Sequence, residues 1–507
     1  MSARDGTQAV AAAADAFDRS RVRFDGLVGL LAGGEAGGLA HFDLEARLEA
    51  EGRELLRQLF QDHLDLRAGR ERAAVSVHGA DGAERRRVEA GRQRGLASVF
   101  GELSVTRLAY RERGAGDLHP ADGLLNLPVE RHSHGLRRLA ALEASRGSFE
   151  DAVAAIERAT GQRLGKRQTE DLAARAAGDF EAFYAQRTPS AASDGDVLVI
   201  SCDGKGVVMR HDALRAQTAK AAAAGHTKLA ARLSKGEKRN RKRLAEVGAV
   251  YDAAPVRRTP ADVMPGTETE RESALAGPVA KGKWLAASIL EDAAEVAAAV
   301  FEEAERRDNE NARPWVALVD GNNHQISRIQ AEARARGTPV TIVCDFVHVL
   351  EYLWKAAWSF HAEGDPAAET WVRRHATAIL QGRATRVAGN VRRQATNAGL
   401  GPTERAGADA AAKYLTNKAP YLDYPTALDN GWPIATGVIE GACRHLVKDR
   451  MDITGARWGL TGAEAILKLR AIRSNGDFDD YWAFHLAQEH QRVHKSRYAH
   501  GQIPDAA

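Results

Sequence analysis

Leu44, Leu48, Leu55, Leu56, Leu59 and Phe60 recur mostly at three- and four-residue steps through residues 41–66, the period of an amphipathic helix with one packed face. From Leu96 to Tyr110 the pattern becomes alternation around a glycine, LASVF-GE-LSVTRLAY, which predicts a short β-hairpin following the basic run Arg85, Arg86, Arg87, Arg92 and Arg94. Helical spacing returns over 148–184. There Ser148 with Asp151 predicts an N-cap, Phe149, Val153 and Ile156 share a face, Thr160-Gly161 ends the helix, and a second helix starts near Gly165. This helix-turn-helix order places Lys166 and Arg167 in the first turn of the second helix, where DNA-reading helices present side chains to phosphates and base edges; an ordinary helical hairpin is the plain alternative.

Residues 188–195 (TPSAASDG) read as a polar linker, and beyond them the pattern is that of buried strands. Val197–Ser201 runs into Cys202-Asp203-Gly204, with Gly206–Met209 as its expected partner strand. Ala249–Tyr251 and Trp284–Ile289 read as further strands, and Asp292–Arg306 as a helix. Trp315–Val319 ends at Asp320-Gly321, and Val340–Val343 ends at Cys344-Asp345. Strands separated by helices indicate an α/β sheet. Helix-favouring sequence fills 346–430, and Thr436–Arg450 is a last helix opened by a threonine cap. The expected organisation is a mostly helical N-terminal region (1–190), an α/β domain (196–345 and 431–475) interrupted by an all-α segment (346–430), and a C-terminal tail (476–507).

At 507 residues, 44% hydrophobic and 27% charged, the chain has the composition of a multidomain globular protein, and no apolar run approaches the ~18 residues a bilayer span needs. No secretory pattern opens it, so a cytoplasmic location, nucleoid-associated when bound to DNA, is expected. Three cysteines, Cys202, Cys344 and Cys443, are too few and too scattered for a disulfide framework. A net charge of +3 leaves any polyanion argument to local clusters. One such cluster is KGEKRNRKR (235–243), where Lys238, Arg239, Arg241, Lys242 and Arg243 suit a DNA backbone or lie solvated.

Asp203 and Asp320 follow apolar strands at the sheet edge where ligands of α/β folds gather, and Glu440 on a helix across that edge would complete an oxygen set for Mg²⁺. Asp-Gly after a strand is also an ordinary turn. Arg444, His445 and Lys448 follow Glu440 at helical steps as a basic stripe beside it. Asp345 competes with Asp320 as second ligand. His348, four residues after Cys344, is too weak a pattern for zinc and serves either to orient DNA or a carboxylate or as a structural histidine. Trp458 reads either as a packed core residue or as a platform for an unpaired base.

The segments SCDGKGVV, VDGNNHQI, CDFVHVLEYLW and ATGVIEGACRHLVKDRM, in that order, resemble bacterial insertion-sequence transposases of the Kra group, relatives of Mutator-like elements. The likeness runs over most of the chain, including LSVTRLAYR and LNLPVERHS. It implies an RNase H-like catalytic domain with a DDE metal site at Asp203, Asp320 and Glu440, and a helical insertion between the fifth strand and the glutamate helix. It implies two Mg²⁺ ions (or Mn²⁺), double-stranded DNA as element ends and target, and a homodimer or higher oligomer. The expected activity is metal-dependent cleavage at insertion-sequence ends followed by strand transfer. The rivals are an RNase H-like nuclease or resolvase that does not join, and a domesticated DNA-binding protein.

Overall fold

The structure, a computed structural model, describes residues 15–505 apart from 190–191, 194, 225–228, 230–233, 235–239 and 454. The chain divides into two units, one of Met1–Ala185 with Asp477–Ala507 and one of Gln186–Gly476. Among the described residues no helix is long and apolar enough to cross a membrane.

In the first unit the apolar stripe of 41–66 belongs to one 30-residue helix, His41–Arg70. Its Leu64 packs with Leu96, Leu103, Val105 and Leu127, joining the helix to a hairpin. That hairpin is longer than its alternation predicts. Arg87–Ser98 pairs with Gly101–Arg111, so Arg87, Arg92 and Arg94 lie within the first strand rather than ahead of it. Most of that strand faces solvent, which is why it lacks the apolar alternation that marks a half-buried strand.

Helices His134–Arg146, Phe149–Thr160 and Lys166–Ala176 close around Leu136, Ala140, Ile156, Leu164 and Leu172. Ser148 and Asp151 form a reciprocal capping box, and Gly161, at φ +67°, ends the first helix of the pair in the left-handed region glycine tolerates. Gly165 opens the next helix, its N–H donating to Gln168 Oε1 at 2.9 Å.

The expected tail, 476–507, does not trail over its described part: residues 477–505 belong to this unit. Phe478–Glu489 and the π-helical His490–His494 supply the polar centre of this unit. Arg137, fully buried, meets Glu489 at 2.8 Å, Glu130 at 3.2 Å and His485 Nε2 at 3.1 Å. Because arginine only donates, Nε2 accepts and Nδ1–H donates to Asp179 at 2.6 Å. Arg492 completes the network with two bonds to Asp179 at 2.9 and 3.1 Å. Sequence periodicity carries no sign of this, since polar residues here fill a core.

The second unit is built on one five-stranded sheet. Its strands are β1 (Val197–Val208), β2 (Lys242–Ala253), β3 (Ala280–Ser288), β4 (Trp315–Val319) and β5 (Thr341–Cys344). The spatial order is β3-β2-β1-β4-β5, antiparallel from β3 to β1 and parallel from β1 to β5. The expected pairing of Val197–Ser201 with Gly206–Met209 is wrong. Val197–Ser201 and Gly206–Val208 are parts of one strand, β1, which pairs with β2 from Val197↔Ala253 to Val208↔Lys242. Asp203-Gly204-Lys205-Gly206 looks like a turn in sequence because it lacks apolar residues, yet it stays in unbroken register with β2.

Helix α1 (Ala293–Arg307) packs on β1 and β2, and Gly248 of β2 leaves room for its Val296 and Val300. Helix α2 (Asn323–Arg336) follows β4. Helices α3 (Phe346–Ala357), α4 (Pro366–Leu380), α5 (Ala384–Asn397) and α6 (Ala406–Lys418) follow β5. Helix α7 (Gly437–Ala442) lies on β1 and β2 and continues as a π-helical stretch, Cys443–Lys448, while α8 (Leu460–Asn475) packs on β3.

Burial works to raise the Asp179 carboxyl, but hydrogen bonds from His485 and Arg492 outweigh it and hold it down at about 2. An unfolded aspartate titrates near ~3.9. The resulting stabilisation is complete above that value and disappears as pH falls through 2, a loss of ~2 kcal/mol. Asp179→Asn should unfold the first unit at lower temperature at pH 7, and the gap from wild type should narrow in thermal scans between pH 4 and 2.

Candidate active site

The parallel ladder of β1 and β4 pairs Leu198 with Trp315 through Ser201 with Leu318, and two further residues at the same offset bring Asp203 level with Asp320. The β4–β5 ladder ends at Val319↔Cys344, so the next step brings Asp320 level with Asp345. Three aspartates on neighbouring parallel strands therefore share one level of the sheet. Their side chains are used differently.

Asp203 is half-buried, within β1 rather than at its end. Its Oδ1 accepts from the Gly204 N–H at 2.7 Å and from Gln325 Nε2 of α2 at 3.3 Å, and its Oδ2 accepts from the Cys443 thiol at 3.3 Å. Burial, then the Asp203 charge, pushes the Cys443 thiol far above its usual range, so it stays protonated and donates. Asp320 follows β4. Its Oδ1 accepts from the Asn322 N–H at 2.7 Å, so the ordinary turn is present too, and its carbonyl accepts from the Tyr414 hydroxyl of α6 at 3.0 Å. Gly321 sits at φ +94°, where a Cβ would stand 2.7 Å from the Tyr414 oxygen. Among the described residues Asp320 Oδ2 accepts no hydrogen bond.

Asp345 is fully buried. One oxygen caps α3 through the Val347 N–H at 2.9 Å, and the other accepts from Thr436 Oγ1 at 2.7 Å. The protein closes both oxygens of Asp345 and leaves Asp320 open, which separates the two competitors. Thr436 precedes α7 but makes no capping bond to it, contrary to expectation. Its hydroxyl stands between Asp345 and Glu440 Oε1, 3.2 Å from the latter.

Glu440 is exposed on α7, three residues before Cys443, so the thiol bond to Asp203 ties its helix to β1. The wider turn that follows leaves carbonyls displaced from the α-helical ladder. Arg470 of α8 donates to the carbonyls of His445, at 2.8 Å from Nε, and Leu446, at 3.0 Å. Inserted π turns of this sort accompany functional positions in helices.

Among the described residues no group of three or more His, Cys, Asp or Glu side chains stands close enough together to hold a metal ion. Asp203 and Asp320 nevertheless fit a hard cation such as Mg²⁺, which is held through one or two carboxylates together with water and substrate phosphate. Gln325 gives independent support: its amide N–H reaches Asp203 while its Oε1 is buried without a hydrogen-bond partner among the described residues, an acceptor that a cation or its water would satisfy.

The remaining residues singled out from sequence fall into distinct environments. Arg444 and His445 are exposed and stand 3.7 and 3.4 Å from Asp449, and Lys448 is exposed on the same segment. His348 of α3 is half-buried against the rings of Tyr352 and Tyr414, 3.7 Å from Glu351. Trp458 is buried, donates to the Met451 carbonyl at 3.0 Å and lies under Arg450, so it is a packed residue with no face free for a base. Lys238 and Arg239 lie outside the described residues, whereas Arg241 and Lys242 are exposed at the start of β2. Arg243 is instead a clamp, donating to the carbonyls of Ile289 at 2.7 Å and Leu290 at 3.3 Å. In the first unit Lys166 and Arg167 are exposed, 3.0 Å from Glu150 and 3.5 Å from Asp171.

Sequence reading missed Gln325, Tyr414 and Glu246 as residues of this region. Gln325 lies one helical turn from the Asn322 cap, a spacing that could have marked it. Glu246 pairs with Gly204 and so points from the sheet face opposite Asp203. Burial raises it to about 7, opposed by Arg215 and supported by Asp203 and Asp292. No described protein family and no curated protein matches the chain.

Thr436→Val should destabilise the second unit by about 2 kcal/mol, because it leaves a fully buried carboxylate short of a donor, whereas Thr436→Ser should retain most of the stability. Urea unfolding of both variants measures the difference.

Proposed function

We propose that the chain is a DDE-type DNA transposase that cleaves DNA at the ends of an insertion sequence and joins the freed 3′ ends to target DNA. The observation that carries this reading is the place of Asp203 and Asp320 at matching positions just past the end of the β1–β4 ladder, with the Glu440 helix tied to Asp203 through Cys443. The strand order supports an RNase H-like fold for the second unit, since β4 neighbours β1 and β5 lies beyond it. On this reading the helices from α3 to α6 are the insertion before the glutamate helix.

Two Mg²⁺ ions (or Mn²⁺) would supply activation of the attacking oxygen and stabilisation of the leaving 3′ oxygen in an in-line displacement at phosphorus. The chain's own part is to hold the carboxylates still. The paired backbone of β1 fixes Asp203, the turn after β4 fixes Asp320, and Thr436 meets Glu440. Arg444, Lys448, Arg241 and Lys242 are exposed cations suited to the DNA backbone, and Lys166 and Arg167 suit an end-binding helix. Joining two ends to one target implies at least a dimer.

The test uses duplex DNA carrying the sequence that flanks the coding region. Asp203→Asn, Asp320→Asn and Glu440→Gln should each lower Mg²⁺-dependent cleavage and strand transfer by roughly a thousandfold or more, with thermal unfolding and DNA binding retained. Full activity in any one of them removes that residue from the site. Pre-cleaved ends should be joined to target by the wild type; nicking without joining would assign a nuclease instead.

A further inference from the structure

Between Thr370 and Thr403 the sequence holds six arginines and no acidic residue, in a chain whose charges otherwise nearly balance. The fold gathers most of them along one groove of about 510 Å³ between α4 and α5. On α5, Arg386, Asn390, Arg393 and Asn397 recur at four- and three-residue steps and form one polar stripe, while Val387, Val391 and Ala395 turn inward. Arg374 of α4 and Arg383 of the connecting turn complete the wall. The two helices are held together by Trp371, whose indole donates to Gln394 at 3.0 Å.

These side chains have no internal use. Some surface arginines of this unit meet acids, as Arg336 meets Glu305 and Arg405 meets Asp409, and others, such as Arg257 and Arg328, do not among the described residues; the groove is set apart by four arginines lining it with no acid among them. Among the described residues Arg374, Arg386 and Arg393 form no ion pair, and the one side-chain partner of Arg383 is the neutral Gln381. Clustered like charges destabilise the folded chain by mutual repulsion, and a bound polyanion removes that cost. The stripe from Arg386 to Asn397 spans about 16 Å of helix, a length over which duplex DNA presents several phosphates.

We infer that this groove binds the phosphate backbone of double-stranded DNA, at a site separate from the carboxylates. Polyanion binding follows from the groove alone; the choice of DNA rests on the function proposed above. Asparagines between the arginines add neutral donors, a combination suited to phosphate and sugar oxygens and not to base reading.

The experiment compares the full-length wild type with the triple variant Arg383→Gln, Arg386→Gln, Arg393→Gln. A control, Arg21→Gln, Arg47→Gln, Arg271→Gln, loses the same charge from exposed arginines that already face acids. Binding of a fluorescent random-sequence DNA duplex is measured from 50 to 300 mM salt by anisotropy. The groove variant should bind roughly tenfold more weakly, with a salt slope shallower by about two to three, and the control should stay near wild type. An equal loss in both variants, or none in the groove variant, overturns the proposal. A groove variant that loses heparin or duplex RNA while keeping duplex DNA also overturns it. Asp203→Asn should keep the wild-type slope; should it also keep cleavage, the catalytic reading fails while the groove result still stands.

Discussion

The register between β1 and β4 is the constraint on which the site depends. A parallel ladder fixes which residues share a level, and a slip by one residue would turn every side chain of a strand to the opposite face. Here both faces of both strands are packed, since Leu198, Val199 and Ile200 are fully enclosed, as are Val316, Ala317 and Leu318, so a slip would have to repack the core on both sides of the sheet. Core packing thus sets the level of Asp203 and Asp320, although neither belongs to the core. The unequal length of the neighbours of β1 adds the opening. β2 accompanies β1 past Asp203 to Val208, whereas the ladder with β4 stops at Ser201, so the backbone beside Asp203 is firm on one side and released on the other.

Negative charge gathered at one level needs a reason to stay folded, and the structure divides that burden by depth. Asp345, the deepest, takes a helix N-terminus and a hydroxyl, donors that lower the cost of burying a carboxylate. Asp203, intermediate, takes two N–H groups and a protonated thiol. Asp320 takes one N–H and Glu440 faces solvent, so among the described residues the outermost pair is the least engaged by the protein. α6 also reaches this level, because Gly407 lets it approach α3 so closely that a Cβ would overlap the Lys355 carbonyl, and its Tyr414 can then hold Asp320 from behind.

Much of this was legible from sequence where local physics decides. Apolar runs ending in Asp marked β4 and β5, and the Ser148-Asp151 box with Gly161 marked a helical pair to within a residue. Strand continuity through Asp203-Gly204-Lys205-Gly206 was not legible, since the signal for a strand is burial of alternate side chains and these are partly exposed while the backbone stays paired. Nor was the role of 476–507, because the Arg137 network satisfies polar groups across more than 300 residues of chain. Tyr414 left no mark either: its place follows from how two helices approach, and nothing near Asp320 in sequence points to it. For Trp458 the choice between packing and an open platform was not legible, because its cover, Arg450, is brought over the ring by the fold.

On the proposed reading, the distribution of arginines is as informative as that of the carboxylates. A duplex brings one negative charge per ~1.7 Å of its axis toward a site that is already acidic, so the repulsion must be offset by cations not committed elsewhere. Many arginines of this chain are committed: Arg243 holds the segment after β3, Arg470 holds the π turn, and Arg307 and Arg313 neutralise Asp252 in the interior. Two sets of exposed cations without an acidic partner among the described residues bear on the site: Arg241, Lys242 and Lys448, at the start of β2 and on the π stretch after α7, and the arginines of the groove between α4 and α5. The first set stands on the elements that carry Asp203's partner strand and Glu440, and can act only on phosphates next to the reacting one. The second stands on helices that carry none of the three carboxylates. A substrate held there would gain affinity without crowding the carboxylates with positive side chains, which would compete with the metal of the proposed reaction.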